Sequence, residues 1–168
     1  MALEVKIKTN SEFIKKRFKR IERKFKSIIE KGILQGGFQL LDIIRTKTAK
    51  GIDFRDNAFP LYSEGYLKHL QKKGYPTKVD LFYSGRMLGA LTPSGKTIRK
   101  TGTNKVSVGF SNSQMLKRAV FNQVLSKKKS RREFFGFNDR TANIIGRQFN
   151  KFVAKEFRKA RIWVYEKI

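Results

Sequence analysis

The densest set of residues able to do chemistry is the run Lys127-Lys128-Lys129-Ser130-Arg131-Arg132, with Phe134, Phe135 and Phe137 directly after it. Five of its six positions are cationic, and like charges packed so closely repel unless an anion or solvent separates them. Cations on phosphates beside aromatics on bases is one way a nucleic acid strand is held. The bland alternative is that the rings anchor the loop to a core, leaving the cations as a sequence-independent contact or a solvated surface. Two further cationic arcs stand on helical stretches: Lys16, Lys19, Arg20, Arg23 and Lys26, and Arg147, Lys151, Lys155 and Arg158. From these, Lys127, Lys128, Lys129, Arg131, Arg132, Lys16, Lys19, Arg20, Arg23, Arg147 and Lys151 are the candidate contacts for DNA or an acidic partner.

Catalytic chemistry has little to stand on. His69 is the only histidine, lies between Lys68 and Leu70, and has neither cysteine nor clustered carboxylates to complete a metal set. Asp53, Asp56, Glu64 and Asp80 match no metal-binding spacing, and helix caps or ion pairs with the surplus lysines account for them more simply. The pairs Gly85/Gly89 and Gly95/Gly102 fall in neither phosphate-binding glycine frame, and no serine has a nucleophile-elbow context. The expectation is a non-enzyme without cofactor.

Charge bounds the partners. Lys and Arg number 39 against 13 Asp and Glu, a net charge of +26 and a pI near 10.6, beyond what solubility requires. Nucleic acid is the first expected partner, an acidic protein the second, an anionic membrane surface the third. With 168 residues, 39% of them hydrophobic and fifteen Phe, the chain is expected to fold as one domain spanning 1–168. No apolar run approaches the roughly 20 residues of a membrane span. Met1 to Asn10 lacks an apolar signal region, so use without export is expected.

The elements that must position these residues are legible in period and punctuation. Leu3, Val5 and Ile7 alternate with charged residues as in a half-buried strand. A helix follows from about Ser11 to about Thr46, on which Ile14, Phe18, Ile21, Phe25 and Ile28 hold one arc. Gly32, Gly36 and Gly37 predict a kink or a close helix contact. Ser63 caps a short helix carrying Tyr66, Leu67 and Leu70, stopped by Gly74 and Pro76. Asp80 to Leu91 places an apolar run before a Ser84-Gly85 turn, with Met87, Leu88 and Leu91 on the helical turn beyond. Thr97–Thr101 and Val106–Phe110 predict a hairpin around Gly102-Thr103-Asn104. Ser111 or Ser113 is expected to cap a helix from Gln114 to Leu125 with Leu116, Ala119, Val120, Val124 and Leu125 as its apolar members. Asn138 or Asp139 caps the last helix, where Ala142, Ile145, Phe149, Phe152, Val153, Phe157 and Ala160 share an arc; Ile162 to Tyr165 reads as a closing strand. The fold class is α+β: a long N-terminal amphipathic helix and a C-terminal helix packed on a small, mostly antiparallel sheet.

The stretch from Gly51 to Phe157 resembles the phage virion-morphogenesis family of tail-completion, neck and head–tail joining proteins. The features are Gly51-Ile52-Asp53-Phe54, Pro60-Leu61 with Tyr66 and Lys72-Lys73-Gly74, then Leu81 before Ser84-Gly85-Arg86-Met87-Leu88. Val106-Ser107-Val108-Gly109 and Arg132-Glu133-Phe134-Phe135-Gly136-Phe137 follow in order. Where that family has a His-Gln pair, a Gly-rich stretch and a Pro, this chain has Asn122-Gln123 and then Leu125 to Arg131. The resemblance implies a structural virion subunit, made in host cytoplasm, that joins portal or adaptor to tail as a homo-oligomeric ring around the DNA channel. A stand-alone, sequence-independent nucleic-acid-binding protein is the competing expectation.

Overall fold

The computed structural model describes residues 11–81, 85–127 and 130–160. The strands expected at Leu3–Ile7 and Ile162–Tyr165 lie outside them, as do Lys128 and Lys129.

A helix of 39 residues, α1 (Ser11–Ala49), runs about 58 Å at 1.5 Å per residue. It continues three residues past the expected end because Gly51, at φ +80°, closes it: Gly51 N–H donates to Thr48 O and Ile52 N–H to Lys47 O, the left-handed glycine stop. The same device ends α2 (Glu64–Lys72), where Gly74 sits at φ +68° and Tyr75 N–H reaches back to Leu70 O. Ser63 has the extended backbone of a cap, but its side chain makes no capping hydrogen bond. Asn112, rather than Ser111 or Ser113, caps α4 (Ser113–Val120), accepting from Gln114 and Met115 N–H. Asn138 caps α5 (Asp139–Lys159) through Thr141 N–H.

The three glycines of α1 do not break it. A Cβ at Gly32 would lie 2.8 Å from Phe149 Cε2, one at Gly36 3.2 Å from Ile145, and one at Gly37 3.1 Å from Val106. They are therefore contact glycines: Gly32 and Gly36 admit α5, and Gly37 admits the hairpin β1 (Ile98–Gly102) and β2 (Lys105–Val108). The strands pair antiparallel, Ile98 with Val108 and Lys100 with Val106, with a register shift at the Gly102 turn. Contacts from Gly32 to Phe149, and a stacked Phe25–Phe157 pair at 4.9 Å, make α1 and α5 antiparallel. So α1 lies between the hairpin and α5 and carries the architecture.

The core gathers Leu41 and Ile44 of α1, Phe59, Met87, Leu88 and Leu91 around the short α3 (Arg86–Gly89), Ile98, Met115, Ala119 and Phe134. Gly85 stands at φ +67° immediately before α3, as a turn into that helix requires. Valine there is strained in this region, so Gly85→Val is expected to cost about 2 kcal/mol. Thermal unfolding checks this; an unchanged melting temperature would refute the assignment of the turn.

Two expected apolar faces do not meet the core. In α4 only Met115 and Ala119 are buried, while Leu116, Val120, Val124 and Leu125 are exposed, the last by 67%. The segment Phe121–Leu125 is a π-helical turn rather than α-helix, which shifts the register of its side chains. On α1, Ile28 is buried, but Phe13, Ile14, Phe18 and Phe25 are exposed. The described part of α5 ends level with the region before Phe25, so the first turns of α1 overhang it.

Candidate functional site

The segment after the π-turn is tied down at several points. Phe134 is fully buried and meets Phe110 and Phe135 edge-on, each with centroids 6.4 Å apart, while Phe110 and Phe135 lie tilted against each other at 5.6 Å. Gln123 clamps the segment by exchanging two hydrogen bonds with the Phe135 backbone, at 2.7 and 2.9 Å. Phe54 closes over Gly136, where a Cβ would lie 2.9 Å from the ring, and Phe54 N–H donates to Glu133 O. Thus Phe134 and Phe135 anchor the loop, whereas Phe137 is exposed.

Arg132 departs from its expected role as an outward contact. It is 8% exposed, its two terminal nitrogens donate to Ser130 O at 3.0 Å and Pro60 O at 3.2 Å, and its guanidinium lies 4.7 Å from the centroid of the Tyr62 ring. Its Nε is buried without a partner, and no carboxylate pairs with it among the described residues. Burial pulls the guanidinium below its ordinary pKa and pushes the Tyr62 hydroxyl above its own. Arg131 is half-buried near Glu133, which Arg55 also engages. Of the described members of the run, Lys127 alone is exposed.

The other candidates stand where the helical period puts them: Lys16, Lys19, Arg20 and Arg23 exposed on α1, Arg147 and Lys151 exposed on α5. The two arcs come level only at one end, where Phe157 stacks on Phe25 and brings Arg158 close to the level of Arg23. Arg147 and Lys151 flank Phe149, which is level with Gly32, and Arg23 is nine residues, about 13 Å, farther along α1.

Two of the candidate carboxylates, Asp53 and Asp56, hold turns and helix ends. Asp53 Oδ1 accepts from Arg55 and Asn57 N–H, turning the chain after α1. Asp56 pairs with Lys47 at 2.7 Å and accepts from Asn138 Nδ2 at 2.7 Å, joining the ends of α1 and α5. Lys47 and Asn138 hold its pKa below the usual value. The contribution of this link is present above the ordinary carboxylate pKa and is lost as pH falls through the lowered one. His69 stacks on Tyr66. Among the described residues no three His, Cys, Asp or Glu side chains group as a metal site, and no helix is long and apolar enough to cross a membrane.

What sequence reasoning missed is a cleft of about 690 Å³ between the Pro60–Tyr66 segment, α3 and α4, lined by Tyr62, Tyr66, Met87, Lys117, Phe121 and Arg132 among others. Its parts are far apart in sequence, and the only local signal is Lys117-Arg118 within an otherwise amphipathic helix. Comparison with known protein families, with curated proteins and with solved structures finds no match for this chain.

Proposed function

We propose that the protein is a structural virion subunit of the neck or tail-completion kind, forming a ring between portal and tail through which DNA passes. The motif order between Gly51 and Phe157 motivates this reading. The observation that supports it best is the pair of separate exposed apolar faces, Phe13, Ile14 and Phe18 on the overhang of α1 and Leu116, Val120, Val124 and Leu125 on α4 and its π-turn. A head-to-tail ring needs two different patches on each subunit, where a two-fold dimer needs one. Counting copies in purified virions tests the reading: a ring subunit is present at a fixed number per particle, and a free binder is absent.

Self-repulsion at +26 opposes assembly until acidic surfaces or salt offset it. The isolated protein is therefore expected to sediment as a monomer or weak oligomer at low salt and to associate as salt rises. A stable ring in dilute low-salt buffer would contradict this.

The second reading, sequence-independent nucleic-acid binding, draws on the exposed cations of α1 and α5. Changing Lys16, Lys19, Arg20 and Arg23 to Gln is expected to move stability by no more than about 0.5 kcal/mol each. The slope of log K against log salt for duplex DNA should become shallower by up to about 0.9 per lost phosphate contact. An unchanged slope would make this arc a solvated face.

A further inference from the structure

The cleft beside Arg132 holds a positive charge with which no carboxylate pairs among the described residues. The two carbonyls that accept from the guanidinium take one N–H from each terminal nitrogen but carry no net charge, and Nε is buried with no partner among the described residues. Leaving a buried charge unpaired is costly. Lys117 and Arg118 line the same cleft, are exposed, and form no ion pair among the described residues. The remaining walls are mostly apolar or aromatic, among them Tyr62, Tyr66, Met87 and the 59%-exposed Phe121, with Ser63, Asn122 and Ser130 as polar members.

We propose that this cleft binds a short segment of a partner protein in which an Asp or Glu is flanked by apolar side chains. The carboxylate would be held by Lys117 and Arg118 in the field of Arg132, and the flanking side chains would pack on Tyr66 and Phe121. A carboxylate with apolar neighbours matches both halves of the lining, since charge-assisted hydrogen bonds fix orientation while aromatic walls supply contact area. A phosphate backbone fits less well, because it is followed by cations spaced along an open track, whereas here three cations share one concave, largely apolar site. The inference goes beyond the neck reading and holds for any assembly this chain joins.

The test is selection of random displayed peptides on the immobilised full-length protein, followed by anisotropy titration of the enriched peptides in labelled, soluble form. Titrations use the parent protein, Lys117→Ser/Arg118→Ser, Phe121→Ser, and the charge-matched control Lys16→Ser/Lys19→Ser on α1. All the substituted side chains are exposed, and equal melting temperatures establish that the variants are folded. The expected result is enrichment of peptides with an acidic residue between apolar ones, which bind each cleft variant about tenfold or more weakly and the control as well as the parent. Three outcomes would overturn the proposal: no enrichment, enriched peptides without an acidic residue, or equal weakening by the control, which marks generic attraction to a basic protein. A duplex oligonucleotide is titrated in parallel. If its affinity falls with the cleft variant more than with the control, and no peptide is enriched, the site belongs to phosphate and the peptide assignment fails.

Discussion

Gly51→Ala is expected to destabilise the protein by on the order of 3 kcal/mol, a fall in melting temperature of about 6–12 °C for a chain of this size. Two independent costs meet at this position. Its φ of +80° lies in the left-handed region, and its Cβ would stand 2.8 Å from the Val79 carbonyl oxygen. A backbone atom cannot swing aside as the end of a side chain can. The position is also where α1 hands over to the core, because Gly51 O accepts from Phe59 N–H and Phe59 is buried. Gly74→Ala separates the two costs, since Gly74 has nearly the same φ, +68°, and nothing within 4 Å of a Cβ. It should lose only the conformational part, about 1–2 kcal/mol. Equal losses for the two variants in calorimetry would show that Val79 does not press on Gly51.

Arg132→Ala is expected to cost on the order of 3 kcal/mol, and Arg132→Lys nearly as much. Alanine removes two charge-assisted hydrogen bonds, leaves the Pro60 and Ser130 carbonyls without those donors, and empties the space over the Tyr62 ring. Lysine keeps the charge but cannot place two donors and a flat face at once. The neighbouring change Lys127→Ser, at an exposed position, should be within about 0.5 kcal/mol of neutral. Chemical denaturation of the three variants checks the order. If Arg132→Ala were as neutral as Lys127→Ser, the guanidinium would not be tying the loop to Pro60. The expectation that the whole cationic run acts as one outward contact therefore gives way to a division, with Arg132 holding the fold and Lys127 facing solvent.

Some of this was legible because its cause is local. The four-three spacing of apolar residues predicts α1 and the similar arc predicts α5, since helical period acts between residues three or four apart. The hairpin around Gly102 and the need for φ > 0 at Gly85 follow from turn chemistry that also spans only a few residues. Those signals determined α1, α2, α5, the hairpin and the Gly85 turn, and the α+β class with them, but not the π-turn at Phe121–Leu125.

What an element touches was decided only in three dimensions. Gly32, Gly36 and Gly37 were ambiguous between a kink and a contact until Phe149, Ile145 and Val106 arrived from elsewhere in the chain to fill the missing Cβ space. The apolar members of α4 could not be told from core residues, because a period states that a face is apolar and not that anything covers it. Arg132 shows the same limit from the polar side. Its composition and neighbours predict exposure, yet Pro60 and Tyr62, some seventy residues earlier, supply one of its two acceptors and the ring that let it be buried. Burial is a property of pairs distant in sequence, so the cleft and the charge it holds exist only once the chain has folded.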